Sequence, residues 1–105
     1  MTTSQTCDPG MSGTVRISPE MPLEWYTRMC TIRAFEREII ALNRLGLVAG
    51  TGHLYIGMEA IAVGAYAAME ENDLLTSTDR GHGHCIARGL DMGRMMAEIL
   101  GRSDG

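Results

Sequence analysis

The chain has 105 residues, a mass of 11.4 kDa, 45% apolar and 21% charged residues, and a formal net charge of −4. Those values exclude a disordered, collagenous or disulfide-scaffold chain. The acidic balance disfavours nucleic acid and anionic membranes as partners, and no apolar run is long enough to span a bilayer. The start lacks the basic and apolar parts of a secretory signal, so a cytoplasmic location is expected. All nine basic residues are Arg, Met occurs nine times, and Cys7, Cys30 and Cys85 show no paired spacing that predicts a zinc or disulfide framework.

Residues 1–18 are polar and without apolar periodicity, which predicts a mobile tail ahead of a domain over 19–105. Ser18-Pro19-Glu20-Met21-Pro22 carries helix-start signals, with Ser18 as the capping hydroxyl. From Leu23 to Leu45, the residues Trp25, Met29, Ile32, Phe35, Ile39 and Leu42 recur every three or four positions and predict an amphipathic helix ended by Gly46. Glu24 and Arg28 stand at i,i+4 on that helix, off the stripe.

Eleven of the thirteen glycines lie at or beyond Gly46, and Gly50-Thr51-Gly52-His53-Leu54 reads as a loop. Gly57 to Met69 predicts a second helix, buried because Ala60 to Met69 carries no charge. Its Ala60, Gly64 and Ala68 would let another backbone approach closely. Leu74-Leu75-Thr76-Ser77 reads as a short strand, and Thr78 to His84 as a polar, glycine-rich loop. A last helix is predicted from Met92 to Leu100 with Asp91 as its N-cap.

Arg80-Gly81-His82-Gly83-His84 concentrates one guanidinium and two imidazoles in a tight loop. Such a loop can bind an anion and handle protons, or simply face water. His82 and His84 at i,i+2 could share a metal, but no carboxylate or thiol is spaced to complete the site, so no metal ligand is assigned. His53 reads either as a buried base or as a histidine satisfied by a backbone carbonyl. Glu59 suits the positive end of its helix or a hydrogen bond in a cofactor pocket. Cys85 and the Met residues read as packing.

Several ordered blocks carry a resemblance. Leu23 to Met29, Ile32-Arg33-Ala34-Phe35-Glu36, His53 to Ala60, Ser77 to His84 and Met95 to Gly101 resemble the start of the alpha subunit of thiamine diphosphate-dependent 2-oxo acid dehydrogenases, nearest to the pyruvate and acetoin branch. The resemblance covers about residues 22–105. It implies an α/β fold whose helix-rich amino-terminal part lies here, mostly α within this chain. It also implies an enzyme that uses thiamine diphosphate with magnesium to decarboxylate a 2-oxo acid such as pyruvate, or to cleave acetoin. The acyl group would pass to the lipoyl arm of a partner acyltransferase.

By the same resemblance, Arg80 matches the arginine that clamps the cofactor diphosphate, His53 a histidine beside the reactive centre, and His82 a histidine of the loop lining the cofactor entrance. Asp79 stands where the family often has a cofactor-touching Tyr or His, and is expected to point away or pair with Arg80. Met58 replaces a usual Gln beside Glu59. The family's Gly-Asp-Gly magnesium motif does not occur in these 105 residues. The chain is therefore expected to be an opening segment that completes its site with the remaining alpha-subunit segment and a beta subunit. A non-catalytic remnant that packs against subunits is the alternative. Uncovered apolar stripes predict self-association of the chain alone.

Overall fold

The computed structural model describes residues 17–105, so the tail expected over 1–18 lies outside the described residues up to position 16. Four helices follow in order: α1 (Glu20–Arg44), α2 (Glu59–Ala67), α3 (His82–Arg88) and α4 (Met92–Ile99). No strand occurs among the described residues. The part of the fold in hand is helical, and its α/β character is not expressed here. No helix among them is long and apolar enough to cross a membrane.

α1 begins at Glu20, three residues before the expected start at Leu23. Pro19 is the N-cap residue, and no side chain caps the helix. Ser18 contributes its backbone oxygen, which accepts from the Met21 N–H at 3.2 Å. The prolines at 19 and 22 suit a first turn whose N–H groups have no helical partner. The helix stops at Gly46, where φ is +72°. The Gly46 N–H reaches Asn43 O at 2.9 Å and the Leu47 N–H reaches Leu42 O at 3.1 Å, closing the last turn as a left-handed glycine allows.

The stripe buries Ile32, Phe35 and Ile39, with Trp25 and Met29 packed at its edge. They meet Tyr55, Ala62 and Val63 of α2, Ile86 and Ala87 of α3, and Met95 of α4. Full burial of a large apolar side chain stabilises by about 1.5–3 kcal/mol, so this cluster is what holds four short elements together. Arg28 adds a polar tie, donating from Nη1 to Ala87 O at 3.1 Å while Nη2 pairs with Glu24 at 2.8 Å. α4 has the expected cap: Asp91 Oδ1 accepts from the Arg94 N–H at 2.8 Å.

Three expectations are corrected. Leu74 to Ser77 is not a strand; no described segment pairs with it, and Leu74 is 98% exposed. α2 is shorter than Gly57–Met69 and only half buried: Glu59, Ala62 and Val63 face inward, whereas Ala60, Ile61, Gly64 and Ala65 face outward. The close approach expected at Ala60, Gly64 and Ala68 is not made by any described residue.

The third correction is the most consequential. His82 to His84 is not a loop but the first turn of α3. Gly83 is buried under the ring of Tyr55, and a Cβ there would overlap that ring. The glycine that suggested a loop instead permits close packing.

Candidate functional site

Tyr55, which is fully buried, organises the approach to the site. Its hydroxyl lies 2.9 Å from His84 Nε2, and the two rings meet edge to face at 5.1 Å. His84 Nδ1 lies 2.6 Å from Ser77 Oγ. Tyr55, His84 and Ser77 thus tie the segment carrying His53, the helix carrying His82 and the segment carrying Asp79 and Arg80 into one unit.

Beside that unit lies a cavity of about 440 Å³ whose walls include His53, Asp79, Gly81, His82, Cys85 and Glu98. His53 is 48% exposed, and its Nε2 lies 3.2 Å from Asp79 Oδ2. It is neither buried nor satisfied by a carbonyl, as either sequence reading required. The Gly-rich turn before it holds the imidazole at the cavity mouth. Asp79 pairs with this imidazole and not with Arg80. Arg80 is exposed; its neighbours Asp79 and Gly81 line the cavity, and its own side chain does not. Its backbone N–H donates to Thr78 Oγ1 at 3.3 Å, and its guanidinium makes no hydrogen bond or ion pair with a described residue.

His82 forms the inner wall. Its Nδ1 lies 2.9 Å from Oε1 of Glu36, a carboxylate of α1 that is 0% exposed. The edge of Phe35 meets the imidazole at 6.0 Å. The hydrogen bond to Glu36 raises the His82 pKa above its ordinary value, against the opposing effect of burial. His82 and His84 bond to different partners and do not converge. Among the described residues no group of three or more His, Cys, Asp and Glu side chains is arranged to hold a metal ion.

Glu59 stands apart from this group. It lines a second cavity, with Tyr26, Cys30, Arg33 and Arg37. Arg33 Nε donates to its Oε1, and the Gly57 N–H donates to Oε2 at 2.9 Å. The Arg33 guanidinium is the main reason its carboxyl is held down to about 2. Both oxygens are therefore engaged in anchoring the turn before α2.

Glu36, Tyr55 and Ser77 were not among the sequence candidates. Glu36 did leave a signal: it lies four residues after Ile32 and three before Ile39, a charge inside the apolar stripe. Tyr55 and Ser77 left none, because their roles arise only when distant segments meet.

The family model "Dehydrogenase E1 component" matches residues 27–105. The chain is 47% identical over 89 residues to the alpha subunit of acetoin:2,6-dichlorophenolindophenol oxidoreductase from Bacillus subtilis (strain 168), covering 85% of this chain and 27% of that protein. It is 45% identical over 98 residues to the pyruvate dehydrogenase E1 component subunit alpha of Zymomonas mobilis, covering 92% of this chain and 28% of that protein. Identity to the mitochondrial pyruvate dehydrogenase E1 component subunit alpha of Pisum sativum is 36% over 103 residues, covering 98% and 26%. The chain spans a little over a quarter of the length of these relatives. No solved structure matches it significantly.

Proposed function

Since the chain belongs to the dehydrogenase E1 component family, we propose that it supplies one wall of a thiamine diphosphate site in an alpha subunit. The enzyme would decarboxylate a 2-oxo acid such as pyruvate, or cleave acetoin, and pass the acyl group to a lipoyl-bearing acyltransferase. The remaining walls come from the rest of the alpha subunit and a beta subunit. The observation that carries this reading is the convergence of His53, Asp79 and His82 on one cavity with Arg80 beside it.

The donor set fits the cofactor's anionic end. A diphosphate needs a cation that is not already neutralised, and the Arg80 guanidinium has no carboxylate partner among the described residues. Asp79 is drawn to His53 and so does not quench it. The described residues offer no cluster to hold magnesium, which would have to be held by other residues of the assembly. When bound, thiamine diphosphate supplies the carbanion that adds to a 2-oxo carbon. Arg80, exposed beside the cavity, would supply the cation for the diphosphate, His53 would hold or deliver a proton at Nε2, and His82 lines the inner wall. Glu59 anchors the Gly57 turn through the backbone and so keeps the His53 segment in position.

Titration of thiamine diphosphate with magnesium tests this reading. Binding is expected only when the chain is mixed with the complementary alpha segment and the beta subunit. In that assembly Arg80→Ala is expected to weaken binding by about 1.5–3 kcal/mol, the range for hydrogen bonds to charged groups. Unchanged affinity removes Arg80 from the site. Binding by neither mixture favours a non-catalytic packing role, which the exposed Leu23, Tyr26, Ile61 and Leu74 would serve.

A further inference from the structure

We propose that Glu36 is a positioning residue, a buried carboxylate that fixes the tautomer and charge of His82 and leaves Nε2 as the reactive nitrogen toward the cavity. This rests on the reading that the cavity is part of the cofactor site. The geometry is specific. Glu36 is 0% exposed, and one of its oxygens holds His82 Nδ1 at 2.9 Å. His82 lines the cavity, with 22% of its side chain exposed. Phe35, adjacent to Glu36 on α1, packs its ring edge to face with the imidazole, centroids 6.0 Å apart.

A neutral imidazole donates from one nitrogen and accepts at the other. An ionised carboxylate accepts only, so it requires the N–H on Nδ1. Nε2 then carries the lone pair and serves as acceptor or base. On protonation Nε2 becomes a donor, and the imidazolium charge is balanced by Glu36 beneath it. Nε2 has no hydrogen-bond partner among the described residues.

The pair differs from a finished structural ion pair in one respect. Glu36 Oε2 is buried and has no hydrogen-bond partner among the described residues. A carboxylate retained only to join two helices would be expected to satisfy both oxygens, as Glu59 does. The other titratable groups facing His82 are Glu98 of α4, which also favours the charged form, and Cys85 of α3, with His53 and Asp79 across the cavity.

The test is nitrogen-15 NMR of the full chain with its three histidines labelled in the ring, His82 being assigned by its loss in His82→Asn. In the unsubstituted chain the neutral His82 should show the Nδ1–H tautomer, and its titration midpoint should lie above that of an ordinary histidine. Glu36→Gln removes the charge, so the midpoint should fall, while its amide oxygen can still accept from the Nδ1–H tautomer without requiring it. Glu36→Leu should lose both the raised midpoint and that tautomer. An Nε2–H tautomer in the unsubstituted chain, or an unmoved midpoint in Glu36→Gln, overturns the proposal. The first of these readings needs no variant beyond the one that assigns the signal. An ordinary His82 spectrum with intact, Arg80-dependent cofactor binding defeats this inference alone. The reverse pattern defeats the functional reading and leaves the pair standing.

Discussion

Glu59 and Glu36 both tie α1 to a later helix while buried, but Glu59 engages two partners, the Arg33 guanidinium and the Gly57 N–H, whereas Glu36 engages one, an imidazole. Arginine stays charged at any pH a protein meets, so the Arg33–Glu59 pair responds only to acid. Histidine titrates near neutrality, so the Glu36–His82 pair responds on the opposite side. α1 is clamped permanently at Arg33 and conditionally one turn later at Glu36, and the conditional contact faces the cavity lined by His53 and Asp79. A fixed clamp suits a scaffold; a titratable one suits a wall that must hold or yield a proton.

The contrast breaks most forcefully at Gly83. Gly83→Val drives a branched side chain into the Tyr55 ring, and overpacking of this kind costs about 1–3 kcal/mol or more. Urea unfolding should show that loss. The His82 resonance should lose its link to Glu36, while the Arg33–Glu59 pair between α1 and the start of α2 survives. Next in size is Glu59→Ala, which strands the Gly57 N–H and one half-exposed guanidinium. The expected loss is about 0.5–1.5 kcal/mol, the net worth of a typical hydrogen bond, because Gly57 and the Arg33 side chain are open to water; it is read from the same unfolding curves. A loss within error would mean that solvent replaces the clamp.

The pH dependence sharpens the comparison at smaller amplitude. The Glu59 carboxyl is depressed from 4.5 to about 2, so its contribution is complete above 4.5 and is lost as pH falls toward 2. His82 is raised from 6.5, so its contribution is complete below 6.5 and is lost as pH rises through the elevated value. Melting temperature against pH should therefore fall at both ends, with Glu59→Gln flattening the acid limb alone and Glu36→Gln the other alone. A variant that flattens both limbs would show that the two pairs are coupled. The smallest effect serves as a control: Asp91→Ala removes the α4 cap and should cost about 1 kcal/mol without altering either limb.

The legible parts of this molecule were those governed by neighbours in sequence. The α1 stripe, its Gly46 stop and the Asp91 cap each follow from spacing or from one residue's local chemistry, and each appears where expected. α3 was hidden because its sequence lacks apolar periodicity and carries two glycines at its start. Gly83 is helical there because Tyr55, 28 positions earlier, covers it, and no local pattern encodes that contact. The site was half legible for the same reason. His53 and His82 stood out by residue type and Asp79 through the family resemblance, and the three meet at one cavity, while Glu59 turned inward to Arg33. Glu36 went unnoticed because its partner lies 46 positions away, although its place in an apolar row was visible.

α3 has seven residues, fewer than the about 12–15 that an isolated helix needs to persist in water. Its anchors all originate elsewhere: Glu36 and Arg28 on α1, Tyr55 ahead of α2, and Ser77 on the preceding segment. Such an element has no way to fray and reclose on its own. The amide protons of residues 85–88, which are hydrogen-bonded along the helix, exchange with deuterium when these anchors release together, so their exchange rate reads out the integrity of the cavity wall.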